Sequence, residues 1–75
     1  MNIDLYNMLR SSALADLNKS KLTLNLLGDR AVGIGDHSTE DFYKNAEEAL
    51  ALYVDANDRI EALENLHKVG GKQDE

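Results

Sequence analysis

Phe42, Ala46, Ala49, Tyr53, Ala56, Ile60 and Leu63 follow one another at steps of four and three without a break. Side chains at that spacing return to one face of an α-helix, whereas a strand repeats every two residues. The stretch is therefore expected to be helical and to lie along a partner helix, with its three alanines allowing close approach. The first half of the chain carries the same signal. Ile3, Tyr6, Arg10, Ala13, Leu17, Ser20, Leu24 and Leu27 alternate threes and fours, with Arg10 as the one charged member. Proline, which would break either helix, is absent.

Each helix has more apolar surface than one partner can cover. A second seam, Leu5, Met8, Ser12, Ala15, Lys19, Leu22 and Leu26, lies beside the first on the N-terminal helix. Tyr43, Leu50 and Val54 make a shorter second stripe on the other. The expected fold is all-α: an antiparallel two-helix hairpin with a long glycine-containing loop, assembling into a homo-oligomeric helical bundle. The residues expected at the oligomer interface are Leu5, Met8, Ala15, Leu22, Leu26, Tyr43, Leu50 and Val54.

Boundaries follow from the end signals. One domain spans 1–75, with a first helix over about 3–27, a loop over 28–37, a second helix over about 39–69 and a frayed tail over 70–75. Gly28 stands where a left-handed residue would end the first helix. Ser38 is a suitable N-cap for the second, with Asp41 in capping-box position. Glu40 and Asp41 favour the positive end of its dipole. Lys68 and the Gly70–Gly71 pair are expected to terminate it.

Length sharpens the expectation of assembly. A chain of 75 residues buries only about 60% of its unfolded surface. Small domains usually add disulfides, a metal or oligomerisation. There is no Cys, and His37 and His67, thirty residues apart, do not make a metal site. No metal or cofactor is expected, and self-association is the remaining device. The balance of 8 Lys+Arg against 14 Asp+Glu leaves a net charge of −6. That disfavours general nucleic-acid binding, which needs cations to displace phosphate counterions, and docking on anionic lipid. No apolar run is long enough for a membrane span. The N-terminus lacks the basic and apolar regions of a signal peptide. A soluble cytoplasmic protein is expected.

The loop is longer than a hairpin needs. Its string Val32-Gly33-Ile34-Gly35-Asp36-His37 resembles the V-G-I-G-[DE]-H loop of a group of small helical-hairpin proteins of tailed bacteriophages, T4-like and cyanobacterial phages among them. Those proteins begin with a Tyr/Met-Leu helix and end in a D-R/K-[IL]-E-x-L run. Here that run is Asp58-Arg59-Ile60-Glu61-Ala62-Leu63, and the resemblance extends over roughly residues 2–66. The family often follows the His with Pro, where this chain has Ser38. The resemblance implies a phage protein working in the cytoplasm of an infected bacterium, where small phage proteins often act on host machinery or defence.

Two places have chemistry to offer. The loop brings Gly33, Gly35, His37, Ser38 and Thr39 to a helix N-terminus, which favours phosphate, although Asp36, Glu40 and Asp41 would repel an anion. The sequence is neither a P-loop nor a dinucleotide fingerprint. Capping by Asp36 and Ser38, with His37 packed on Phe42, explains the same residues structurally. Arg10 in an apolar seam must be paired if buried. Asp55 or Asp58 of a neighbouring helix would fix register; alternatively Arg10 meets an anionic ligand. With Tyr6 one turn away, and Lys19 and Lys21 further along the helix, the set would suit a nucleotide whose base stacks on the ring and whose phosphates meet the cations. His67 continues the second-helix seam and reads as a core-edge residue or a partner for the helix dipole.

No nucleophile, base and cleft occur together, so enzymatic activity is not expected. The leading expectation is a non-enzymatic phage protein acting by binding, an oligomeric host-interaction or anti-defence protein. The alternatives are a sponge for a cyclic-nucleotide immune signal, with Tyr6, Arg10, Lys19, Arg30 and Gly33–Thr39 as its site, and a virion structural or assembly component.

Overall fold

The computed structural model describes residues 1–29 and 39–72, with side chains described for 1–29 and 40–68. It consists of two helices, α1 (Ile3–Asp29) and α2 (Thr39–Lys72), packed against each other. Three pairs fix their relative direction. Tyr6 meets His67, Arg10 meets Glu64 and Asp16 meets Arg59. As the number rises on α1 it falls on α2, so the helices are antiparallel. The hairpin measures 59 × 16 × 14 Å, a rod two helices wide.

Asn2 starts α1. Its side-chain oxygen accepts from the backbone N–H groups of Asp4 (2.7 Å) and Leu5 (3.1 Å), and its carbonyl accepts from Tyr6 N–H at 2.9 Å. Those bonds satisfy donors that the helix itself leaves open. Asp4 in the first turn suits the dipole. Gly28, expected to end the helix in a left-handed conformation, lies inside α1 without a positive φ. The helix runs one residue past it, to Asp29. At the other end α2 continues through Gly70 and Gly71 to Lys72 rather than stopping before them. Glycine costs helix stability without forbidding helix geometry. The expected loop and the Ser38 cap lie outside the described residues, as does the packing of His37 on Phe42.

The seams expected from the spacing form the contact between the helices. Ala13 and Ser20 of α1, and Ala49, Ala56 and Leu63 of α2, are buried. Tyr6, Arg10, Leu17, Leu24 and Leu27 flank them half-buried, as do Phe42, Ala46 and Ile60. Two seam members depart from this. Ile3, at the start of α1, is exposed. Tyr53 is 36% exposed, at the seam's edge. The core is thin: among the described residues the largest fully buried side chain is Ser20. Its hydroxyl donates to the Leu17 carbonyl at 2.7 Å, so the one buried polar side chain among the described residues is satisfied within its own helix.

Candidate functional site

Of the residues expected to bind a ligand, Tyr6, Arg10 and Lys19 are the ones whose side chains are described, and they are spread along α1. Tyr6 and Arg10 lie one turn apart at the open end of the hairpin, where the termini are. Lys19 lies roughly 13 Å further along α1 than Arg10 at 1.5 Å per residue, and the loop end of the helix roughly 28 Å further. Arg30, Gly33, Gly35, His37 and Ser38 lie outside the described residues. Thr39 opens α2, its side chain undescribed.

Each described member of that set has a partner. Tyr6 stacks on His67 with ring centroids 4.3 Å apart and planes inclined by 26°, so one face of its ring is taken. Lys19 Nζ lies 3.8 Å from Asp16 Oδ1. Arg10 Nη2 lies 3.9 Å from Glu64 Oε2. The expected partners Asp55 and Asp58 are too far along α2, because the observed register places Glu64 opposite Arg10. Asp55 instead accepts from Arg59 Nε at 3.0 Å, while Arg59 Nη2 donates to Asp16 across the helices at 2.7 Å. The bond to Asp16 leads the causes that raise the Arg59 pKa; burial opposes it and both carboxylates add to it. Among the described residues, no group of three His, Cys, Asp or Glu is placed to hold a metal ion. No described helix is long and apolar enough to cross a membrane.

The residues expected at an oligomer interface behave differently. Leu5, Met8, Leu22, Leu26, Tyr43, Leu50 and Val54 are all between 45% and 60% exposed, and Ala15 is exposed as well. Ile3, expected in the seam, adds to the uncovered apolar surface, as do Leu9 and Leu66, which the spacing did not single out. Leu9 and Leu66 flank the two seams on one side, a position that only the relative register of the helices reveals. With Ser12, Arg59, Ala62 and Leu63 they line a shallow, largely apolar groove of about 280 Å³ near the open end.

The total surface carries the same message. A compact monomer of 8.3 kDa exposes about 4,600 Å². This hairpin exposes 5670 Å², an excess of about 1,100 Å² over that scaling. Single exposed leucines are ordinary, but contiguous apolar surface marks interaction sites.

No family model, no curated protein and no solved structure matches the chain. Its own side chains therefore carry the functional reading.

Proposed function

We propose that this chain is a non-enzymatic binding protein that assembles with itself and presents the outer surface of the assembly to a protein partner. The observation that supports the reading is the uncovered apolar side of both helices: Leu5, Met8, Leu22 and Leu26 on α1, Tyr43, Leu50 and Val54 on α2. Two helices make a thin core, and covering these residues with further helices would supply the burial that a hairpin lacks. Glu40, Asp41, Glu47, Glu48, Asp55, Asp58, Glu61 and Glu64 would leave the assembly an acidic exterior suited to a basic surface. The resemblance of Val32–His37 to the phage group points to a phage source, the cytoplasm of the infected bacterium and a host process such as defence.

Sedimentation of the purified chain tests the first step. A mass of two or more chains at tens of micromolar is expected, and a monomer would end the reading. Recovery of one host protein from infected cells, with the purified pair binding in reverse, tests the second. A cyclic-nucleotide sponge has Tyr6 and Arg10 in its favour, adjacent at the open end. A cyclic di- or trinucleotide that raised the melting temperature would favour it, since a ligand that binds only the folded state stabilises that state. Recovery of the chain in purified virions would favour a structural role instead.

A further inference from the structure

The outer stripe of α1 has the same character read from either end. Its members are Leu5, Met8, Ser12, Ala15, Lys19, Leu22 and Leu26: large apolar residues at both ends, one polar residue on each side of the middle, and Ala15 at the centre. Such a stripe is complementary to itself when two copies run antiparallel. Leu5 then lies beside Leu26 of the partner subunit, Met8 beside the partner's Leu22, Ser12 beside the partner's Lys19, and Ala15 against the partner's Ala15. That reciprocity is what an isologous two-fold contact requires.

We infer that this stripe is a two-fold interface with a second copy of the chain, antiparallel and centred on Ala15. The inference rests on the proposed self-assembly and specifies its geometry. Four observations carry it. The stripe lies roughly 150° around α1 from the seam that faces α2, at about 100° per residue. Accordingly Ala13 and Ser20 are buried against α2 while Leu5, Met8, Ala15, Lys19, Leu22 and Leu26 are exposed, and a second copy would not compete with α2. The whole chain exposes about 1,100 Å² more than a compact monomer of its mass, so there is surface for a second copy to cover.

Charge selects the orientation. A parallel pair would set Lys19 against the partner's Lys19. The antiparallel pair separates the two ammonium groups by roughly eight residues, or about 12 Å along the axis. Each then faces a serine oxygen able to accept from it, and each retains its own Asp16 at 3.8 Å. Finally, Ser12 belongs both to the stripe and to the wall of the groove between Leu9 and Leu66. In the antiparallel arrangement, the partner's Lys19 arrives at that flank, its methylene stem against the groove wall. The α2 stripe of Tyr43, Leu50 and Val54 has no such internal symmetry.

The chain contains no Cys, so introduced thiols report contact cleanly. A disulfide forms only where Cα atoms approach within about 7 Å. Under mild oxidation A15C is expected to become a covalent dimer while V54C stays largely reduced. Leu22→Glu is expected to keep its helicity and halve the sedimented mass. An oligomer in which V54C links faster than A15C, or whose mass L22E leaves unchanged, overturns this interface and leaves self-assembly standing. A monomeric unmodified chain overturns both.

Discussion

Asp16 and Arg59 meet across the hairpin at 2.7 Å, and Asp55, one turn before Arg59 on α2, takes the same guanidinium at 3.0 Å. This bond does more to select register than to add stability. Sliding α2 by one turn in one direction would bring Asp55 opposite Asp16, setting carboxylate against carboxylate. The raised pKa keeps Arg59 charged at any workable pH. All three side chains are partly exposed, and exposed pairs are weak and screened by salt. Asp16→Asn is therefore expected to lower Tm by only about 1–4 °C at low ionic strength. The loss should largely disappear in molar salt. An equal loss at both salt concentrations, followed by circular dichroism, would mean that charge is not the cause.

Ala56 is fully buried and Ala51, five residues earlier, is exposed on the same helix. Ala56→Glu places an unpaired carboxylate where the helices touch, and the hairpin is expected to lose most of its helicity at 25 °C. Ala56→Leu overpacks the same point and should cost about 1–3 kcal/mol. Ala51→Glu is the control, with a change within about 0.5 kcal/mol. Equal melting of A51E and A56E would mean that the seam has been assigned to the wrong face.

The seam was legible because a four–three spacing has one helical interpretation, and its members Ala49, Ala56 and Leu63 are the buried residues of α2. The uncovered stripe was legible for the same reason. Pairings across the hairpin were not. Glu64 and Asp58 differ by less than two turns, and spacing within one helix says nothing about where the other stops along it. That offset also hid the Tyr6–His67 stack and the Leu9–Leu66 groove. Asn2 was a missed signal of another kind. An asparagine directly before a periodic run is a standard N-cap.

Tyr6 and His67 close the open end of the hairpin through their stacked rings. The stack lies beside the Arg10–Glu64 pair, whose side chains are 39% and 52% exposed. A double-mutant cycle with Tyr6→Ala and His67→Ala is expected to give a coupling of about 0.5 kcal/mol. Amide exchange in either single variant should quicken at residues 3–10 and 64–68 and stay unchanged near Ala49. Uniform acceleration along both helices would place the stack in the global stability instead.

Ser20 is buried, yet its hydroxyl bonds only the Leu17 carbonyl of its own helix. Ser20→Ala removes that hydroxyl without stranding a buried donor, since the carbonyl can keep its helical partner. Alanine also has the higher helix propensity, by about 0.5 kcal/mol. S20A is therefore expected to melt at the same temperature or higher. A Tm several degrees lower would show that the hydroxyl has a partner elsewhere, between subunits of the assembly.

Gly28 gives two readings with opposite signs. As a left-handed terminator it would resist substitution, because a Cβ is strained at positive φ. In the structure it is helical, has no positive φ, and a Cβ built on it meets nothing within 4 Å. Gly28→Ala then removes freedom from the unfolded chain and strains nothing in the folded one, a gain of about 0.4–1 kcal/mol. Tm is expected to rise by several degrees, with helicity undiminished. A lower Tm would return Gly28 to the end of the helix and shorten α1 to the point at which its apolar spacing stops, at Leu27.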